Sequence, residues 1–303
     1  MKKIEKVAII GMGALGILYG TQSMDAGHPV EFVMNAERVA KYKDRTFYKN
    51  GKPYKMPVQD CTTATPADLV MVAVKYNGLD SAIADMKRCI GENTIIMSVM
   101  NGIDSEESIA EVYGMERMIY TVAQGMDAMK AGEELKFTQM GELHIGARYD
   151  SQQENADAVE VYFKEISMPY IREKDIMYRL WSKFMLNVGI NQCCMAFNTT
   201  YSGCLTKGEA NRTMISAMRE VIALANSEGI SLTEKDLNAY VDILKTLSPD
   251  GIPSMQQDGV AHRPSEIEMF AGTVIRRAKV QGLLVPVNEF LYDRVHEIEA
   301  SWK

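Results

Sequence analysis

Three glycines spaced as Gly11-Met12-Gly13-Ala14-Leu15-Gly16 stand directly behind the apolar run Val7-Ala8-Ile9-Ile10. The run is short and β-branched and reads as a buried strand. Helical patterning then continues to Gly27, and a second apolar run, Pro29 to Met34, follows. Strand, turn, helix and second strand fall within about 30 residues, the span of a βαβ unit. In that frame the three glycines serve different ends. Gly11 makes the tight turn, Gly13 lets the backbone approach a pyrophosphate, and Gly16 lets helix pack on strand. The helix N-terminus adds N–H donors and the positive end of its dipole. The expectation is a dinucleotide held along Gly11, Met12, Gly13, Ala14, Leu15 and Gly16.

The residues behind the second strand, Met34-Asn35-Ala36-Glu37-Arg38, bear on which dinucleotide. An acidic residue there accepts from a ribose 2′-hydroxyl, and a basic one pairs with a 2′-phosphate. Asn35 is neutral, Arg38 can reach a phosphate, and Glu37 opposes it unless turned away. NADP is expected, with NAD as the alternative; Arg38 as a plain solvated charge on the next helix is an open reading.

Further along, short apolar runs alternate with helical patterns, the mark of an α/β fold with a doubly wound parallel sheet. Strands are expected at Lys6 to Ile10, Pro29 to Met34, Leu69 to Val74, Thr94 to Met97 and Met118 to Val122. Leu135 to Gln139 and Glu142 to Gly146 suggest a hairpin around Met140-Gly141, followed by a helix from Asn155 to Lys164 and an edge strand at Tyr170 to Arg172. Beyond Asp175 only helical periodicity continues, with helices expected at 176–196, 206–227, 233–248, 264–281 and 287–301, and a turn-rich loop at Ser248 to Pro253. The chain thus reads as an N-terminal Rossmann-type dinucleotide-binding domain, 1–173, and an all-α substrate and catalytic domain, 174–303.

Composition narrows the function. A net charge of −7 with scattered Lys and Arg residues offers no grip on a phosphate backbone, so nucleic acid is not an expected partner. No apolar stretch is long enough to cross a membrane, and the N-terminal run is glycine-interrupted and lacks a cleavage site; a cytoplasmic protein is expected. Cys61, Cys89, Cys193, Cys194 and Cys204 show no metal-ligand spacing and read as reduced core residues. No metal site is expected.

The segment Leu180 to Asn191 is apolar nearly all round, which marks a buried helix. Its polar exceptions, Lys183, Asn187 and Asn191, recur at every fourth residue and share one face. Each buried polar group left unpartnered costs about 1 to 3 kcal/mol, so a ligand-facing stripe is the economical reading; helix-to-helix hydrogen bonds for the asparagines, and a snorkelling stem for Lys183, are the alternatives. In carbonyl reduction, charge accumulates on the keto oxygen, and an ammonium at Lys183 is suited to stabilise it and deliver a proton.

With these residues in place the chain resembles the 2-dehydropantoate 2-reductase (ketopantoate reductase) family over essentially its full length. The matching features are Gly11 to Gly16, Lys75 after Met71-Val72-Ala73-Val74, Asn101-Gly102 after Ser98-Val99-Met100, the Lys183/Asn187/Asn191 helix, and Ser254 with Glu266. The resemblance implies NADPH-dependent reduction of ketopantoate or a close branched 2-oxo acid, as in pantothenate biosynthesis. It implies that Lys183 is the general acid, that Glu266 helps hold substrate and catalyst, that Asn187, Asn191 and Ser254 contact the substrate, that Asn101 lies at the nicotinamide end and that Lys75 lies near the cofactor. Taken alone, Glu266 also suits the first turn of a helix, and Ser254 suits a helix N-cap.

The chain departs from the family pattern at Asn35, where many members carry an arginine, at Gly251, where an asparagine often precedes the serine by three residues, and at Tyr201, which replaces a polar residue. Helical domains of this kind often pair, so a homodimer is an expectation the sequence leaves open. Two rivals stand beside the reductase. A 3-hydroxy acid dehydrogenase of the same architecture also sets a lysine four residues before an asparagine, but after a glycine-rich approach that Arg179-Leu180-Trp181-Ser182 lacks. A non-catalytic nucleotide-sensing protein would need neither Lys183 nor Glu266.

Overall fold

A computed structural model describes residues 2–302, which fall into two compact units, the first ending at Ile176 and the second beginning at Met177. In the first unit the strands are β1 (Val7–Ile10), β2 (Val30–Met34), β3 (Thr46–Lys49), β4 (Lys52–Lys55), β5 (Val58–Asp60), β6 (Leu69–Val72), β7 (Ile95–Ser98), β8 (Met118–Gln124), β9 (Met129–Ala131), β10 (Glu134–Lys136), β11 (Glu142–Gly146) and β12 (Tyr170–Arg172). Its helices are α1 (Ala14–Asp25), α2 (Ala36–Tyr42), α3 (Leu79–Asp85), α4 (Ser105–Tyr113) and α5 (Gln153–Glu165).

Among the described residues the main sheet runs β12-β11-β8-β7-β6-β1-β2-β5. The pairings β1 with β2, β1 with β6, β6 with β7 and β7 with β8 are parallel. The chain therefore reverses its direction of travel across the sheet between β1 and β6, the switch point at which such sheets bind ligands. Side-chain alternation explains why both faces are covered. Val7 and Ile9 point into a core shared with Ile17, Leu18, Val159 and Phe163, whereas Ala8 and Ile10 point into one shared with Leu79, Ala82 and Ile109. Each fully buried Val, Ile or Leu side chain contributes roughly 1.5 to 3 kcal/mol relative to exposure, so these runs are held in the interior by both faces.

The hairpin expected around Met140-Gly141 does not form. Glu142–Gly146 instead pairs antiparallel with β8, from Glu142 opposite Gln124 to Gly146 opposite Tyr120. Leu135 belongs to β10, which joins a separate sheet in the order β4-β3-β10-β9. Local alternation identifies strands without naming their partners, and here the partner lies in β8 rather than next in sequence. Within the small sheet, β3 and β4 are joined by Asn50 (φ 48°) and Gly51 (φ 83°), the left-handed pair that a two-residue hairpin demands.

The second unit is helical. It contains α6, of which Ile176 is the first residue (Ile176–Ala196), α7 (Tyr201–Leu205), α8 (Glu209–Ser227), α9 (Glu234–Leu244), α10 (Ser254–Val260), α11 (Thr273–Gln281) and α12 (Pro286–Ala300). The helix expected at 206–227 therefore starts three residues late: Lys207-Gly208 forms a turn and α8 runs from Glu209 to Ser227. The one expected at 264–281 opens with a π-helical turn at Glu268–Gly272. Gly189 sets the spacing of α6 against α8, since a Cβ there would sit 2.5 Å from Met218 Cγ.

Candidate active site

The dinucleotide motif lies at the carboxyl ends of the parallel strands. Gly11 adopts φ 113°, and a Cβ on it would meet the Ala73 carbonyl oxygen at 2.4 Å, so the turn after β1 lies hard against the backbone of the turn after β6. A Cβ on Gly16 would fall 2.1 Å from the Gly11 carbonyl oxygen; only glycine permits that helix-to-turn approach. Gly13 is different. It is exposed, and its nearest neighbour for an added Cβ is Ala73 O at 3.7 Å. The space above it is left open by the protein and would be filled by any side chain, as a pyrophosphate cradle requires. Met12 is buried beneath the turn, and Ala14 and Leu15 open α1 half-buried.

Three more of the expected residues share this edge. Lys75 lies two residues past Ala73 and is exposed, and Asn101 lies three residues past the end of β7, beside Gly102 at φ 90°. Strand register sets Ile10, Val72 and Ser98 level with one another, so the loops carrying Gly11, Lys75 and Asn101 leave the sheet side by side. Behind β2, Asn35 is the N-cap of α2, its side chain accepting from Arg38 N at 3.0 Å. The Arg38 guanidinium makes no hydrogen bond or ion pair among the described residues and is half-buried.

Within the helical unit, Asn187 and Asn191 are 9% and 5% exposed, yet among the described residues neither amide has a protein hydrogen-bond partner. Buried amides are nearly always satisfied, so these two face a ligand or water. One turn earlier, Lys183 is half-buried along its stem. Burial lowers its ammonium to a pKa of about 8, the nearby Glu266 carboxylate raises it, and Arg179 lowers it further. Lys183 and Glu266 are thus electrostatic neighbours, and the proton on Lys183 is poised near neutral pH.

Glu266 is not in a first helical turn, as its surroundings in sequence suggest; it stands just before Ile267, the N-cap of the π turn. Its carbonyl accepts from Met269 N at 3.0 Å and Phe270 N at 3.1 Å, while Ile267 O accepts from Gly272 N at 3.0 Å. The amide of Ala271 donates instead to Gln192 Oε1 on α6, at 2.8 Å. Gln192 is fully buried, and its Nε2 donates to Val188 O at 2.7 Å and Asn288 Oδ1 at 3.2 Å. Gln192, which sequence reasoning missed, therefore ties the Glu266 segment to the helix carrying Lys183. The signal was one more polar residue in an apolar helix, hidden because it lies off the stripe.

Ser254 is exposed and starts α10, but it does not cap it. Pro253 holds the N-cap position, and the Ser254 hydroxyl makes no hydrogen bond among the described residues. Helix α10 is tied to the end of α6 by Gln256 Nε2 donating to Asn198 Oδ1 at 2.9 Å. No hydrogen bond joins Ser254 itself to the stripe. Nearby, Tyr201 N donates to Gly251 O at 3.0 Å, and a Cβ on Gly251 would stand 3.0 Å from Tyr201 Cε2. The departures at 201 and 251 are one feature: the ring occupies the room that a side chain at 251 would need.

A cavity of about 840 Å³, lined among others by Phe197, Val260, Phe290 and Trp302, opens near the C-terminal end of α6. Its wall begins at Met195, roughly three turns beyond Lys183 at 3.6 residues per turn, so it is not the polar stripe. Among the described residues no His/Cys/Asp/Glu cluster could hold a metal ion, and no helix is long and apolar enough to cross a membrane. All five cysteines are free thiols.

Comparison with known proteins finds relatives along both units. Residues 7–149 match the model of Ketopantoate reductase PanE/ApbA, and residues 175–299 match Ketopantoate reductase PanE/ApbA C terminal. The 2-dehydropantoate 2-reductase of Vibrio cholerae serotype O1 is 26% identical over 298 residues, 98% of each chain. Among solved structures, a PanE/ApbA family ketopantoate reductase from Ralstonia eutropha JMP134 superposes with a TM-score of 0.83 at 25% identity, covering 98% of this chain and 99% of that one. A D-mandelate dehydrogenase in complex with NADH does so at 0.86 and 23% identity, with the same coverage, which shows the shared fold. With its Rossmann unit, its helical unit and matches spanning both, the chain is an oxidoreductase that belongs to the ketopantoate reductase PanE/ApbA family.

Proposed function

We propose that this protein reduces ketopantoate, or a close branched 2-oxo acid, to the 2-hydroxy acid with NADPH, NADH being the alternative donor. The observation that carries the reading is a buried helix face holding one ammonium of lowered pKa and two amides with no protein partner among the described residues. The bound nicotinamide supplies the hydride. Everything else falls to the chain. Gly13 and the N-terminus of α1 take the pyrophosphate, Lys75 and Asn101 the nicotinamide end, and the Arg38 guanidinium the 2′-phosphate.

Asn187, Asn191 and Ser254 donate to the oxo acid and fix its orientation. As charge develops on the keto oxygen, Lys183 stabilises it and hands over a proton. Glu266 favours the charged form of Lys183 before transfer, which keeps the donor loaded despite its burial. A pKa of about 8 also makes that proton easier to give up than one held by an ordinary lysine. The reading is tested by the rate of NADPH oxidation with a panel of 2-oxo acids, where steady turnover with ketopantoate or a branched relative is expected. Nucleotide binding without turnover of any 2-oxo acid would overturn the assignment.

A further inference from the structure

The loop carrying Asn101 spans Val99 to Asp104, between Ser98 at the end of β7 and Ser105 at the start of α4. Its two ends are clasped by Ser98 Oγ and Ser105 Oγ at 2.8 Å. Ser105 Oγ donates to Glu106 Oε2, also at 2.8 Å. A hydroxyl has one proton. With that of Ser105 committed to the carboxylate, Ser98 must be the donor in the serine pair, and its lone pairs are left to the Met100 N–H, which reaches Ser98 Oγ at 3.4 Å. Donors therefore run in one direction, from Met100 through Ser98 and Ser105 to Glu106, with the carboxylate as terminal acceptor. All three side chains are buried, Glu106 to 1% exposure.

We infer that Glu106 is a positioning residue for coenzyme binding, acting through Ser105 and Ser98 on the loop that presents Asn101. This rests on the proposed reading of Asn101 as a contact at the nicotinamide end. A network of this kind is specified only while its terminal acceptor accepts. Gly102, at φ 90° in the middle of the loop, adds no stiffness of its own, so the clasp supplies it. Once protonated, Glu106 can donate toward Ser105, and the order of donors is no longer imposed.

Burial raises the Glu106 carboxyl to a pKa of about 7 against the lowering effect of Ser105 and of backbone bonds from Glu106 and Thr121; neighbouring Glu107 raises it further. The other titratable groups here are the Tyr120 hydroxyl on β8 and Arg148, which is engaged by that hydroxyl at 3.3 Å and by Glu107 at 3.5 Å. Loss of the ionised carboxylate thus falls within the working pH range.

The experiment is the dissociation constant of NADPH, read from its own fluorescence, for the full chain and for Glu106→Gln and Ser105→Ala between about pH 6 and pH 8.5. The ratio of variant to parent cancels the titration of the coenzyme phosphate. That ratio is expected to rise from about one at the acid end to roughly 3- to 10-fold at the alkaline end, the effect of one net hydrogen bond, with kcat at saturating coenzyme changed less than about twofold. A ratio equal at both ends would reduce Glu106 to a purely structural residue and overturn the inference, leaving the reductase reading intact. Failure of the parent to bind NADPH or NADH at all would overturn both. Ser105→Ala keeps the question answerable if Glu106→Gln does not fold.

Discussion

Replacing Lys183 by methionine should make the protein more stable and nearly inactive. Lys183 has its pKa lowered from 10.5 to about 8 by burial, net of the attraction to Glu266. At 1.36 kcal/mol per unit this difference is about 3.4 kcal/mol, and discounting for the partly exposed stem leaves roughly 1 to 3 kcal/mol. The sign follows from the direction of the shift. A group with a depressed folded-state pKa stabilises the folded protein above its unfolded pKa and loses that contribution as pH falls through the folded one. The penalty for charged Lys183 is therefore complete below about pH 8 and gone near 10.5. Methionine is close to the lysine stem in length and flexibility and carries no charge.

Urea denaturation followed by tryptophan fluorescence reports on the relevant unit, because both tryptophans, Trp181 and Trp302, lie in it. The variant should gain roughly 1 to 3 kcal/mol at about pH 7, with the gain shrinking toward pH 10.5, while kcat falls about 10²- to 10⁴-fold, as expected for loss of a general acid. Equal stability at neutral pH, or a gain that ignores pH, would refute the claim that the ammonium is held at a cost for function.

Asn187→Ala and Asn191→Ala should each raise the KM for the oxo acid about tenfold yet change stability by less than about 0.5 kcal/mol, because their amides hold no protein group; a large stability loss would make them structural. Gln192→Leu should cost about 1 to 3 kcal/mol by stranding the Ala271 N–H and should lower kcat through the displaced Glu266 segment, measured by denaturation and steady-state kinetics together. Arg38→Ala should raise the KM for NADPH roughly 10- to 100-fold, the worth of a charge-assisted hydrogen bond, and leave that for NADH unchanged; an equal effect on both would remove Arg38 from the 2′-phosphate.

The parts of this architecture that are legible in the sequence are those set by short-range chemistry. The glycine turn is legible because Gly11 carries a positive φ and Gly16 must clear the Gly11 carbonyl five residues earlier, and α6 because its all-round apolar pattern is interrupted only where something polar must be met. The partner of Glu142–Gly146 is hidden because sheet pairing is a long-range choice. Asn50-Gly51 is itself a strong local hairpin signal, but the strands it joins are short and polar and lack the apolar alternation that marks the others. The π turn after Glu266 leaves no mark in its own residues: there the amide of Ala271 donates to Gln192, some eighty positions earlier, a bond between residues far apart in sequence. The link between Tyr201 and Gly251 is of the same kind, visible only once a ring is seen lying over the glycine.

The most direct test is the pH dependence of kcat/KM for NADPH-dependent reduction of ketopantoate by the parent and by Lys183→Ala. With Lys183 as the proton donor, the parent should lose about tenfold per pH unit above a pKa near 8, as an essential acid is deprotonated; the variant should be slow and flat. A parent profile level up to about pH 10, the range of an unperturbed lysine, or a variant as fast as the parent, would contradict the account.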